Sequence, residues 1–301
     1  MDNRLHRRKR ITLFDVVVSI ISVILVIIIL FPLINVLACS VSSPTAVATG
    51  KVILWPVDFT LEGYKRVFQD QEIMRGYANT VFYTVVGTLI NMLVTVPAAY
   101  ALSKGKLPGM SKIMLLILFT MYFSGGMIPT FIIVTNLGLY DTRAILVILG
   151  AFNAYNCIIC RTFFSSLPHE LEEAAHVDGA SVLRTFISVV LPISKALLGV
   201  MVLYFAVAHW NSYFNALIYT SNRDFQPLQL ILRNILVEAQ TSADMLANSG
   251  SGADELASEM QHIASLLRYS VIVVASVPLL IVYPFLQKFF EKGVMLGSVK
   301  G

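Results

Sequence analysis

Three groups of residues in the sequence have types and spacings that could do chemistry. His209-Trp210-Asn211-Ser212-Tyr213-Phe214 is the first. Aromatic faces such as Trp210, Tyr213 and Phe214 stack on sugar rings, and the Asn211 amide can bond hydroxyls. The same residues also suit an aromatic belt at a membrane interface, and that alternative stays open. Cys157 and Cys160 form the second group, a C-x-x-C spacing that in a soluble setting suggests a redox or zinc site. They lie three residues apart in an apolar run without a second cysteine pair, so small packing side chains are the better account. His6, His169, His176, His209 and His262 are too scattered to form a metal site. The third group is Glu170-Leu171-Glu172-Glu173-Ala174-Ala175-His176-Val177-Asp178-Gly179. Its chemistry is that of a docking surface: charge on the first turn, then two small residues, then a stop.

These groups must be positioned by membrane helices. The chain of 301 residues is 56% hydrophobic and only 13% charged, which is unusual for a soluble domain. Asp, Glu, Lys and Arg are absent from Val16–Gly50, Gly76–Ser103, Ile113–Tyr140, Ala144–Cys160, Ala196–Asn222 and Tyr269–Gln287. A helix needs roughly 20 apolar residues to cross a hydrocarbon core of about 30 Å. The expectation is an all-α membrane protein with six spans, near 13–37, 77–102, 113–134, 142–164, 194–214 and 269–290. Pro97 is expected to kink span two, and Gly125-Gly126 with Pro129 to make the second half of span three irregular. His209 reads as a packed or hydrogen-bonded residue, and Asn79 and Asn91 as polar glue between helices.

Basic residues set the orientation. Arg7, Arg8, Lys9 and Arg10 precede the first span; Lys104, Lys106, Lys112, Arg161, Arg184 and Lys195 fall in short connections on the same side. Lysines and arginines on the other side are diluted over two longer loops, 38–76 and 215–268. The positive-inside rule then places both termini in the cytoplasm. Residues 1–12 read as a basic cytoplasmic end rather than a nucleic-acid arm, and 13–301 as one membrane domain. The run Leu13–Ala38 is longer than a signal-peptide core, so it is expected to stay as an anchor, although Val36-Leu37-Ala38-Cys39 slightly resembles a lipoprotein cleavage box. In loop 215–268, Asn248–Gly252 is expected to be a flexible joint, and helical spacing resumes from Asp254.

The segment 165–192 is too polar to span and is expected on the cytoplasmic side. Pro168 suits the first turn of a helix, where its missing N–H is not needed. Glu170, Glu172 and Glu173 lie near the positive dipole end, and Gly179 can adopt the left-handed conformation that ends a helix. A second helix, Ser181–Val190, is expected to run to a break at Leu191-Pro192.

This pattern resembles the EAA loop of importer-type ABC permeases. Glu173-Ala174-Ala175, Gly179 and Leu191-Pro192 stand at that motif's spacing, with Val189 where it carries Ile. The resemblance implies a MetI-like permease fold, N-in and C-in, with a coupling helix between spans four and five. It implies Glu173, Ala174, Ala175, Asp178, Gly179, Leu191 and Pro192 as ATPase-coupling residues. Phe123–Thr130, Arg161–Phe164, His209–Phe214, Pro227–Leu230 and the tail Gly293–Gly301 are similar to maltose-type carbohydrate importers, in the LplC-like branch. The implied partners are a second homologous permease subunit, a dimer of ATP-hydrolysing subunits, an extracytoplasmic solute-binding protein, a sugar and membrane lipid, with no nucleic acid and no cofactor. The implied location is the bacterial plasma membrane, and the implied mechanism is alternating access.

Two rivals make other demands. An ion-coupled secondary transporter usually carries ionisable residues within its spans, and these spans hold Asp, Glu, Lys and Arg only near their ends. An intramembrane enzyme would show H-E-x-x-H, G-x-S-x-G or paired aspartates. G-x-x-x-x-G-K-[ST] is also missing, so the ATPase is expected on a separate chain.

Overall fold

The computed structural model describes residues 12–105, 109–248 and 267–284. Expectations for Arg7–Arg10, Lys106, the joint after Asn248, the spacing from Asp254 to Met260 and the tail Gly293–Gly301 lie outside those residues. The chain divides into two compact units, one holding residues up to 67 together with 236–273 and the other 68–235 together with 274 onward.

The first unit is built on α1 (Leu13–Ser40), α2 (Pro44–Ala48) and the start of α3 (Glu62–Gln69). A reciprocal box starts α1: Asp15 N–H donates to Thr12 Oγ1 while the Asp15 carboxylate accepts from Thr12 N–H at 2.9 Å. Its apolar side chains are exposed along nearly its whole length, and burial begins only at Ala38, Cys39 and Ser40. There Ala38, Cys39, Ala46 and Val52 pack with Tyr269. Asn35 donates to the carbonyls of Val52 and Ile53, at 3.1 and 2.8 Å, and pins the following loop back on the helix.

The second unit is organised by α4 (Gln71–Ser103), a 33-residue helix capped by Asp70, whose carboxylate accepts the Glu72 and Ile73 N–H groups. The helix begins six residues before the expected span, because the polar segment ahead of Tyr77 continues it, and it runs unbroken past Pro97. The chain continues through α5 (Met110–Tyr122), α6 (Met127–Asn136), α7 (Arg143–Ile148) and α8 (Ala154–Ser165). It then passes α9 (Glu170–Val177), α10 (Val182–Thr185), a π-helical turn Phe186–Val190, α11 (Leu191–Ile193), α12 (Lys195–Trp210) and α13 (Phe214–Tyr219). A 3₁₀ turn, Arg223–Phe225, leads into α14 (Leu228–Asn248), and α15 spans Leu267–Pro284.

In three places the structure adds to the sequence reading. Span three turns by 113° between α5 and α6, where Ser124-Gly125-Gly126 interrupts the helix and Gly126 has φ 90°. The irregularity was legible, the sharpness of the turn was not. Span four is not one helix: α7 stops at Ile148, Gly150 takes φ 90°, and Asn153 starts α8 by accepting the Asn156 N–H at 2.9 Å. The stretch read as outer loop 215–268 contains the 21-residue helix α14. Among the described residues, α1, α4 and α15 are long and apolar enough to cross a membrane, or up to five spans exist if each bent pair counts as one.

Polar side chains of α4 hold the breaks in place. Asn91 donates to both Gly150 O and Ala151 O, at 2.7 and 2.9 Å, and so caps the break between α7 and α8. Its Oδ1 therefore faces His209 Nε2 at 2.7 Å, which makes the histidine the donor and fixes the hydrogen on Nε2. Gly87 makes room for that imidazole, which a Cβ at this position would meet at 2.4 Å. Higher on α4, Asn79 donates to Asp224 O and Gln226 O, at 2.8 and 3.0 Å, and Tyr83 to Phe225 O at 2.8 Å. Asp141 accepts the Ser221 and Asn222 N–H groups, both at 2.8 Å, so the loop before α14 is tied from two sides. The expected roles of His209, Asn79 and Asn91 match this arrangement.

Gly87→Leu is expected to push the imidazole off Asn91 and to cost about 1–3 kcal/mol of stability, the usual penalty of overpacking. A thermal unfolding midpoint measured in detergent should fall; an unchanged midpoint would show that the close approach is not needed.

Candidate functional site

The hairpin between α8 and α12 is built from local rules. His169 occupies the N-cap position of α9, and Glu170, Glu172 and Glu173 fill its first turn, where N–H groups without intrahelical partners favour negative charge. The helix ends in a paired closure: Gly179 N–H donates to His176 O at 3.0 Å and Ala180 N–H to Ala175 O at 2.9 Å. Gly179 has φ 79°, the left-handed region that its sequence position predicts. The Ser181 hydroxyl then accepts the Arg184 N–H and starts the return helix.

That return helix differs from expectation. It passes through Leu191-Pro192, directly after the π turn Phe186–Val190, where the Leu191 N–H already reaches back five residues to Phe186 O. The break falls at Ser194 instead, and the segments Val182–Ile193 and Lys195–Trp210 meet at 84°. The wide turn at Phe186–Val190 lies within this return, a form that recurs at functional sites.

Of the residues expected to couple, Ala175 is buried while Glu173, Ala174, Asp178 and Gly179 are exposed, as are Pro192 and, partly, Leu191. Beside them Val177, Val182 and Leu183 expose apolar side chains, Val177 to 88%. The hairpin thus presents a small-residue surface with an apolar rim and free carboxylates. Beneath it lies a core of Val96, Tyr100, Cys157, Cys160, Phe164, Phe186, Val190 and Met201. Cys157 and Cys160 are free thiols buried in that core, as packing residues would be. Sequence reasoning missed the link between hairpin and core: Lys104 pairs with Glu172 and stands 4.2 Å over the Tyr100 ring. Lys104 was visible only as the first charge after a charge-free run.

The aromatic group at the end of α12 is split. Trp210 turns inward, donates Nε1–H to Ala275 O at 3.0 Å and meets the Tyr77 ring edge-on at 5.9 Å. It walls an apolar cavity of about 400 Å³ with Val81, Val85, Leu203, Pro278 and Tyr283. Asn211 spends an amide hydrogen on Val207 O in its own helix. Tyr213 and Phe214 are exposed and meet each other edge-on at 6.4 Å. Trp210 is therefore not part of one platform with the other two rings.

A second cluster, unanticipated from sequence, surrounds the 3₁₀ turn. Arg75 pairs with Asp224, Arg223 with Glu72 at 3.3 Å, and Arg143 lies 5.2 Å over the Phe225 ring. Both ion pairs are exposed, so each is worth at most about 1 kcal/mol. Among the described residues no group of three or more His, Cys, Asp or Glu could hold a metal.

The chain as a whole is similar to known proteins. The chain is 38% identical over 289 residues to the polygalacturonan/rhamnogalacturonan transport system permease protein YtcP of Bacillus subtilis, covering 96% of this chain and 99% of that one. It is 39% identical over 272 residues to protein LplC of the same organism, covering 90% of each. A crystal structure of a bacterial ABC transporter involved in the import of the acidic polysaccharide alginate contains a chain that superposes with a TM-score of 0.80 at 36% identity, covering 92% of this chain and 96% of that one. The family described as binding-protein-dependent transport system inner membrane component matches residues 73–296, which carry α4, the hairpin and α12. By that match and those identities, the chain belongs to the family of inner-membrane components of binding-protein-dependent transport systems.

Proposed function

We propose that the chain is one permease subunit of an ATP-binding-cassette importer that moves an oligosaccharide across the bacterial plasma membrane by alternating access. The observation that carries the reading is the hairpin 165–192. Its exposed Glu173-Ala174 surface and stiff Gly179 closure suit docking in a groove of another polypeptide. Six spans are assigned as α1, α4, α5 with α6, α7 with α8, α12, and α15, with both termini inside. In this assignment residues 1–12 form the cytoplasmic end, 13–301 the permease domain, and 38–76 and 215–268 face outside.

Energy comes from elsewhere: a pair of ATP-hydrolysing subunits receives the hairpin of this chain and that of a second, homologous permease. Glu173, Ala174, Ala175, Asp178 and Gly179 form the contact and the turn, and Leu191 and Pro192 carry the return helix to the bend at Ser194. A solute-binding protein delivers the sugar outside, and its loaded form must bias the two conformations differently from ATP for net transport. Tyr213, Phe214 and Asn211 are candidates for the sugar path, with Trp210 behind them.

The relatives narrow the substrate. One is named for polygalacturonan and rhamnogalacturonan, and the similar solved transporter for the acidic polysaccharide alginate. We assign this chain an oligosaccharide bearing uronic acids. The complex, reconstituted with its binding protein in liposomes, should hydrolyse ATP faster with oligogalacturonate or alginate oligomers than with maltodextrin. The reverse order would overturn the acidic class, and transport without any ATPase subunit would overturn the whole reading.

Two substitutions test the hairpin. Nothing lies within 4 Å of a Cβ built on Gly179, so Gly179→Val acts through its φ of 79° alone, at a strain of about 1–3 kcal/mol. Uptake should drop roughly tenfold, the size of about 1.4 kcal/mol, while the amount of inserted subunit, measured by immunoblot, stays constant; unchanged uptake would remove the hairpin from the coupling path. A cysteine at Val177 should react with a membrane-impermeant maleimide only in inside-out vesicles, and labelling in right-side-out vesicles would reverse the orientation.

A further inference from the structure

We infer that Lys104 is a positioning residue that fixes the hairpin to the C-terminal end of α4, so that hairpin and helix move as one body. The inference rests on the functional reading above, because it names the route by which a pull on the hairpin enters the membrane part.

Three contacts of different physical kinds meet at this junction. Lys104 is the C-cap of α4 and pairs with Glu172 in the first turn of α9, both groups partly buried at 28% and 16% exposure. The ammonium also lies over the Tyr100 ring, one turn back on α4, where the ring quadrupole attracts it. That ring meets Phe164 at the end of α8 edge-on at 5.8 Å and Phe186 at the start of the π turn at 4.7 Å. One residue of α4 therefore touches both the element that enters the hairpin and the one that leaves it. Arg161 adds a tie from α8, donating Nε–H to Leu102 O at 3.3 Å.

The carboxylates of α9 divide their work accordingly. Glu172 faces the permease and has its cation. Glu170 and Glu173 are exposed and, among the described residues, have no ion-pair partner, so they remain available to a docking polypeptide. Helical geometry produces this division: Glu172 and Glu173 are about 100° apart around an axis of 3.6 residues per turn. Burial keeps the Lys104–Glu172 pair from the screening that makes exposed pairs negligible, and removal of one partner leaves the other charge uncompensated.

The test places spin labels on Val177→Cys in α9 and Leu93→Cys in α4, both exposed positions, in the complete complex in lipid nanodiscs. The native thiols Cys39, Cys157 and Cys160 are buried and set the labelling background. The distance distribution should be narrow and the same in the nucleotide-free and vanadate-trapped complexes. Lys104→Glu should broaden it, and adding Glu172→Lys should restore the narrow distribution, which a merely space-filling role would not do. A shift on trapping in the unsubstituted pair, or a narrow distribution in Lys104→Glu, would overturn the proposal. Failure to trap nucleotide at all would refute the functional reading instead, and the broadening with its rescue, which need no nucleotide, would still decide the role of Lys104.

Discussion

A carbonyl released by a broken helix loses its donor, and where packing keeps water away something else in the chain must supply one. That constraint shapes the second unit of this protein. The break between α7 and α8 frees Gly150 O and Ala151 O, and Asn91 of α4 meets both with one amide group. The amide's remaining oxygen takes a hydrogen from His209 of α12, so three helices are joined through one side chain. Such interhelical bonds average only about 0.6 kcal/mol in membrane proteins. Their importance is in the alternative: a carbonyl buried without a donor costs more than the bond itself contributes. At the break between α7 and α8, then, the turn is held by an asparagine of α4.

The sequence disclosed the parts of the fold that depend on composition. Charge-free runs located the apolar helices, and α1 and α4 lie where two of those runs predicted. Gly179 and the carboxylates of α9 could be read directly, since helix starts and stops are written in a few neighbouring residues. What escaped was everything decided by distant partners. Ala144–Cys160 carries no charge, and Gly150 and Asn153 were the only local signs of a turn; what holds that turn is Asn91, far back on α4. Leu191-Pro192 looked like a break because proline disrupts a helix interior, yet the chain runs through it after the π turn and bends at Ser194 instead.

The candidate site shows the same split. Trp210, Tyr213 and Phe214 are neighbours in sequence, and only packing reveals that Trp210 faces Tyr77 and Ala275 while the other two rings face outward. The ion pair of Lys104 with Glu172 joins residues with no shared motif. Membership in the transport family then gives these details a setting. In the function proposed for this chain, the pull of a separate ATPase would enter at α9 with its Gly179 closure and pass to the core around Tyr100.

The wide turn at Phe186–Val190 has a consequence for how this chain can be altered. A π turn holds one residue more than the α-helical turn it replaces, and each residue advances a helix by about 100°. Here the extra residue sets the angular phase between the part of the return helix below the turn and the part above it, so that Phe186 and Val190 both reach the same core. Loss of a single residue at this point would leave the hydrophobic composition almost unaltered while rotating one part against the other. A deletion in this short stretch should therefore disturb the packing more than a change of one apolar residue for another of similar size.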